Sequence, residues 1–130
     1  ITALYRAHGV VPGVQISHAG GKAATQRPWE GAGPLPESGP EPAWDIIGPS
    51  AIKVRSTLRT PREATNREIE DILHAFGRAA KRAVSAGFGM IEVHGAHGYL
   101  IHSFMSPITN QRTDAWGGTP AKRMRLAVEA

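Results

Sequence analysis

Two short apolar segments with a long helix between them constrain this 130-residue chain more than any other feature. The first, over 10–17, is entered through Pro12 and Gly13 and fits a buried parallel strand. Residues 65–68 then have the pattern of a capping box, apolar residues follow at helical spacing, and Gly87 ends the helix before the second segment. Strand, crossover helix and strand in this order predict a right-handed parallel unit of an α/β protein.

The second strand leads directly into the strongest concentration of reactive side chains. Ile91 and Val93 alternate with Glu92 and His94, which predicts one apolar face and one polar face. A tight turn at residues 95–96 is expected to bring His97 back towards His94. Two imidazoles that point into one small volume can both donate hydrogen bonds to a single oxygen atom.

The amino-acid composition excludes several classes of protein. The chain has no cysteine, which excludes disulfides and thiolate metal sites, and it has no apolar run of the roughly 20 residues that a membrane helix needs. No signal peptide is visible, so we expect a cytoplasmic protein with no membrane partner. A net charge of +4 does not indicate a nucleic-acid partner, because basic residues sit on helices without interleaved aromatics, namely Lys81, Arg82, Lys122, Arg123 and Arg125.

The ends and the long connection indicate part of a larger fold. The chain opens on what we interpret as the end of a helix closed by Gly9, and it ends inside another helix that Thr119 and Pro120 begin. The Gly- and Pro-rich stretch over 18–50 is expected to be a functional loop. Phe88 and Met90 are predicted core residues.

Several ordered motifs resemble one family, the old yellow enzymes, which are flavin-dependent ene-reductases. The matching segments are IEVHGAHGYL at 91–100, SPITNQRTDAWGG at 106–118, VQISHAGGK at 14–22, RPWEG at 27–31, GPSAI at 48–52 and TPRE at 60–63. The last three are similar to the bacterial, xenobiotic-reductase-like branch. Together these segments cover most of the chain.

The resemblance implies a (β/α)8 TIM barrel, a fold that typically needs about 250 residues. Residues 1–130 would form a partial barrel domain that contains about the third and fourth strand-helix units. The implied activity is reduction of the C=C bond of a small activated alkene, such as an enone, with FMN as cofactor and NADPH or NADH as reductant. The resemblance also allows a homo-oligomer.

The same resemblance implies roles for four side chains. His94 and His97 would bind the substrate carbonyl oxygen and stabilise the negative charge that develops on it. Tyr99 would donate the proton, because a phenol stays protonated at neutral pH. Gln15 would bind the flavin ring, since a carboxamide offers both a donor and an acceptor; the alternative is a buried glutamine that only satisfies neighbouring backbone groups.

The sequence leaves two alternative functions open. A His-x-x-His pair also occurs in metal-dependent hydrolases and lyases, but zinc normally takes three protein ligands and no acidic partner lies at a familiar spacing. His102 could complete such a set, although a helix over 99–105 would turn it towards solvent. The chain could also be a non-catalytic, truncated fragment.

Other residues receive structural interpretations. We expect an ion pair and packing that fix the loop after the second strand, formed by Arg112, Asp114 and Trp116. Structural or surface positions are expected for His8, His18 and His74. The chain departs from the family pattern at Gly21, where an arginine is common, and at the start of the last helix with Ala121 and Lys122.

Overall fold

The computed structural model describes all 130 residues. Four α-helices and four β-strands follow one another in the order α1 Thr2–Ala7, β1 Gly13–Ile16, β2 Ile47–Gly48, β3 Arg62–Glu63, α2 Asn66–Ser85, β4 Met90–Val93, α3 Leu100–Met105 and α4 Pro120–Glu129. Two short 3₁₀-helices, Gly20–Lys22 and Pro28–Glu30, lie in the connection after β1.

The predicted parallel unit is present. Strands β1 and β4 pair in parallel with Gly13 opposite Met90 and Ile16 opposite Val93, and α2 lies between them in sequence and packs on β1. A second parallel pair joins β2 and β3. The chain therefore carries the strand, helix and strand arrangement from which α/β barrels are built.

The start and end of α2 follow the sequence signals. Thr65 accepts a hydrogen bond from the Glu68 backbone, and the Glu68 carboxylate accepts one from the Thr65 backbone, which completes the predicted capping box. At the other end Gly87 adopts φ +88°, a left-handed conformation that glycine adopts without strain. The predicted cap of α4 at Thr119 is likewise present.

The buried core lies between the helices rather than around the strands. Its eight members come from α2, α3, α4 and the segments that flank them: Ala64, Ile69, Phe76, Leu100, Ile101, Phe104, Trp116 and Leu126. Because Leu100, Ile101 and Phe104 all belong to α3, the helix that follows the histidine loop is the most deeply anchored element near the polar residues.

The prediction that Met90 and Phe88 are core residues is wrong. Met90 is 58% exposed and Phe88 is only half-buried. The physical reason is that β1 and β4 form a sheet of only two strands, so no element of this chain covers the beginning of β4. Strand β1 is also shorter than predicted, since pairing begins at Gly13 and leaves Val10 and Val11 exposed.

None of the helices combines the length and apolar character that crossing a membrane requires.

Candidate active site

The end of β4 places His94 at the centre of the site. The His94 backbone N–H donates to the Ile16 carbonyl oxygen at 2.9 Å, which continues the pairing of β4 with β1 by one residue. The His94 side chain is buried. Functional groups of α/β barrels lie beyond the carboxyl ends of the strands, and His94 has this position.

A left-handed turn carries His97 back over the strand end. His97 has φ +58° and Gly98 has φ +72°, so two successive residues adopt the conformation that reverses the chain direction. The Tyr99 N–H closes the turn by donating to the Ala96 carbonyl at 3.1 Å. The predicted tight turn after β4 is thus present, but its left-handed residues are His97 and Gly98 rather than residues 95–96.

The three predicted side chains lie together. The ring centroids of His94 and His97 are 5.0 Å apart with an interplanar angle of 52°, and those of His94 and Tyr99 are 5.0 Å apart at 86°. Tyr99 is also the N-cap residue of α3, so the helix fixes its backbone. Two imidazoles and one phenol therefore converge beyond the end of one strand.

Gln15 lies on the same face of the strand pair. It is opposite Glu92 in the parallel register, and its Nε2 donates to the Glu92 Oε1 at 3.0 Å. Since alternate residues of a strand share a face, Gln15, Glu92 and His94 line one side of the sheet. Gln15 is exposed in this two-strand sheet, and its amide bonds the Glu92 side chain rather than a backbone group.

Sequence reasoning gave no role to two residues near the site. Glu92 accepts a hydrogen bond from one N–H of the Gln15 amide. Because a carboxylate can only accept, this bond orients the amide with its NH2 group towards Glu92. Lys22 donates from its Nζ to the His97 carbonyl oxygen at 2.5 Å. The alternation of β4 could have indicated Glu92, whereas no local pattern indicates a contact between residues 75 positions apart.

His102 and His18 hold the surrounding backbone. His102 is exposed, as expected, and its Nδ1 accepts a hydrogen bond from the Gly98 N–H at 2.7 Å. His18 is half-buried, and its Nδ1 accepts from the Gly20 N–H at 3.0 Å. Burial lowers the pKa of His18 below its usual value of 6.5, so the neutral imidazole that can accept this bond is favoured.

Gly21, named above as a departure from the pattern that the sequence resembles, sits in a closely packed position. It is buried, and a Cβ at this residue would lie 2.9 Å from Val54 Cγ2 and 3.3 Å from Pro61 Cγ. A side chain is thus excluded without displacement of Val54, and Lys22 is the next basic residue in this loop.

The loop after α3 is fixed by Arg112, as the sequence predicted. The buried guanidinium pairs with Asp114, and the hydrogen bonds from Arg112 hold the pKa of the Asp114 carboxyl below its usual value. Arg112 also donates to the backbone carbonyls of Pro49 and Ala64, which joins this loop to the β2–β3 region. Trp116 is buried beside it.

The metal-dependent alternative would need at least three ligand side chains close together. No group of three or more His, Asp or Glu side chains is arranged to hold a metal ion.

Comparison with known proteins identifies the family. Residues 2–130 match the sequence pattern of the NADH:flavin oxidoreductase / NADH oxidase family. An NADPH dehydrogenase of Geobacillus sp. is 41% identical over 129 residues, which are 99% of this chain and 33% of that protein. An NADH:flavin oxidoreductase of Gibberella zeae is 44% identical over 120 residues, which are 90% of this chain and 29% of that protein.

Solved structures agree with these relatives. Morphinone reductase superimposes with a TM-score of 0.80 at 28% identity, over 98% of this chain and 35% of that one. A second structure, morphinone reductase in complex with tetrahydroNAD, gives a TM-score of 0.79 at 27% identity. The chain belongs to the NADH:flavin oxidoreductase family, the old yellow enzymes, and the predicted (β/α)8 barrel is confirmed as the fold of which it forms part.

The chain spans about a third of the length of these relatives. The family description names a flavin and NADH, which agrees with the predicted cofactors FMN and NADPH or NADH. The family relation also favours the flavin interpretation over the metal-dependent hydrolase or lyase.

Proposed function

We propose that the complete protein is an FMN-dependent oxidoreductase that uses NADPH or NADH to reduce the C=C bond of activated alkenes. The observation that carries this proposal is the convergence of His94, His97 and Tyr99 within one site beyond β4. An imidazole carries an N–H donor in either protonation state, so the two histidines can both donate to one carbonyl oxygen, and the phenol can supply a proton nearby. Family membership supports the same chemistry.

The side chains present fit a flavin. The Gln15 amide uses one N–H on Glu92, so its oxygen and its second N–H remain for a partner with one donor and one acceptor. The pyrimidine edge of FMN offers these complementary groups. When bound, FMN supplies the hydride that the alkene carbon accepts.

His94 and His97 act on the substrate oxygen. As the hydride arrives, negative charge develops on the carbonyl oxygen conjugated to the double bond, and hydrogen bonds from both imidazoles stabilise it. The loss of one donor of this kind costs about 100- to 1,000-fold in rate in comparable sites.

Tyr99 acts on carbon. Its hydroxyl donates a proton to the alkene carbon that does not receive the hydride, and a general acid of this kind contributes about 100- to 10,000-fold. The helix α3, which begins immediately after Tyr99, fixes the phenol relative to His94.

Phenol binding to the complete flavoprotein tests the histidine pair. A phenolate bound between His94 and His97 next to oxidised FMN should give a long-wavelength charge-transfer band. Replacing either histidine by alanine should weaken the band and raise Kd, by about tenfold for each lost hydrogen bond to the charged oxygen. His74→Ala, on the exposed side of α2, is the matched control and should leave Kd unchanged. An unchanged Kd in both active-site variants would contradict the assignment.

Separate half-reactions test Tyr99. Because the phenol is needed only when carbon is protonated, Tyr99→Phe should slow alkene reduction while flavin reduction by the nicotinamide stays within about twofold. Stopped-flow absorbance at the flavin bands measures both steps. Equal losses in the two half-reactions would show that Tyr99 is a structural residue.

A further inference from the structure

Lys22 connects the loop after β1 to the turn that carries His97. It is the last residue of the 3₁₀-helix Gly20–Lys22, and its Nζ donates to the His97 carbonyl oxygen at 2.5 Å. A bond between an ammonium and a carbonyl is stronger than one between neutral groups. Lys22 is half-buried, whereas His97 and the hydrogen bond between the two residues are exposed to solvent.

His97 is the residue of the site whose backbone most needs such support. Its φ of +58° lies in the left-handed region, which residues other than glycine rarely adopt because the Cβ crowds the backbone. A left-handed residue at this place determines where the imidazole points. The Tyr99 bond to Ala96 and the Gly98 bond to His102 hold the turn around His97, and the bond from Lys22 is the one made to the His97 carbonyl itself.

The missing side chain of Gly98 leaves room for Lys22 to contact this carbonyl. A Cβ on Gly98 would lie 3.2 Å from Lys22 Cε and 3.3 Å from its Nζ, so the absence of a side chain there leaves space for the ammonium group. The same Nζ lies 6.0 Å from the centroid of the Tyr99 ring, at the outer limit of a cation–π contact. The ammonium therefore lies beside the His97 carbonyl, on the side of the turn that faces the Tyr99 ring.

We propose that Lys22 is a positioning residue that keeps His97 in the orientation needed for two hydrogen bonds to one ligand oxygen. It acts through the His97 backbone and needs no contact with the ligand. This inference rests on the proposed function, because it assigns to Lys22 the role of maintaining the geometry of the histidine pair.

A double-mutant cycle in the complete flavoprotein tests the inference, with 4-chlorophenol as the probe and the charge-transfer band as the readout. Lys22→Met should raise Kd about tenfold in the wild-type background, the expected loss for one hydrogen bond from a charged donor. In a His97→Ala background the same change should alter Kd by less than about twofold, because no imidazole is left to position. Lys22→Arg, which keeps a charged donor, should recover most of the wild-type affinity.

Two controls and one substitute variant separate the outcomes. Lys53→Met removes an exposed lysine from another loop and should leave Kd unchanged. Flavin content, read from absorbance, shows whether each variant folds; where Lys22→Met loses flavin, Lys22→Gln replaces it in the cycle, and its cost should likewise vanish in the His97→Ala background.

The opposite results are equally specific. A cost for Lys22→Met that is the same in both backgrounds would mean that the cation acts directly on the phenolate, and the positioning role would be wrong. No cost in the wild-type background would also overturn it. If His97→Ala alone left Kd unchanged, the proposed function itself would fail, and the inference would fail with it.

Discussion

Replacement of Arg112 by methionine should be among the most destabilising single changes in this part of the barrel. The Arg112 side chain is 5% exposed, and its guanidinium bonds to five partners: Asp114, Glu63, Asn66 and the carbonyls of Pro49 and Ala64. Methionine keeps much of the volume but none of the donors. The change therefore isolates the hydrogen bonds from the packing.

The expected magnitude depends on which partners can turn to water. The side chains of Asp114 and Glu63 are 34% and 54% exposed, so water can replace the guanidinium at their carboxylates at little cost. The carbonyls of Pro49 and Ala64 belong to buried residues, and each would lose its partner without a replacement. At roughly 1–3 kcal/mol for each unsatisfied buried acceptor, the free energy of unfolding should fall by about 3 kcal/mol.

Urea unfolding of the complete protein, followed by circular dichroism, measures this loss. The matched control is Arg67→Met, which removes an arginine from an i,i+4 ion pair with Asp71 where the Arg67 side chain is 81% exposed. The control should cost less than about 0.5 kcal/mol. If the two variants lost the same stability, the argument from buried carbonyls would be refuted.

Three further changes test the fold. Hydrogen bonds from Arg62 and from the helix cap lower the pKa of Glu68 to about 2, so its stabilising effect is present above the ordinary value of 4.5 and is lost as pH falls towards 2. Glu68→Gln should therefore lower Tm more at pH 7 than at pH 3; an equal difference at both pH values would contradict this sign. Gly117→Ala should cost about 1–3 kcal/mol in urea unfolding, because its Cβ would lie 2.7 Å from Asn110 Oδ1. The exposed Gly77→Ala in α2, which meets no atom within 4 Å, should instead stabilise by about 0.5–1 kcal/mol, and a loss at Gly77 like that at Gly117 would refute the steric argument.

The helices could be predicted from sequence because their signals are local. The capping box at Thr65 and the left-handed Gly87 set the limits of α2 within a few residues of the prediction. Whether Met90 is buried or exposed could not be predicted in this way, because that depends on which strands lie beside β4. In a closed barrel, neighbouring strands and helices cover such positions, whereas the two strands described here leave them exposed.

The candidate site could be predicted in part for the same reason. His94, His97 and Tyr99 lie within six residues, so a strand and a turn are enough to bring them together. The support that Lys22 gives to this turn depends on a loop 75 residues earlier, and the sequence contains no periodicity that links the two segments. The roles of the site residues stay predictions until ligand binding to the variants is measured.

The histidine loop is held by hydrogen bonds within its own strand-helix unit and also by bonds from the preceding unit. Lys22 reaches the His97 carbonyl from the loop after β1, and the Leu100 N–H, at the start of α3, donates to the carbonyl of His18 in that same loop. Further along, Arg112 ties the loop after α3 to the carbonyl of Ala64 ahead of α2. Because each of these bonds joins two consecutive barrel units, a change in the first unit can alter the geometry of His94, His97 and Tyr99 without touching them. Loop variation after β1 is therefore expected to alter the active site through the backbone of the next unit as well as by direct contact with substrate.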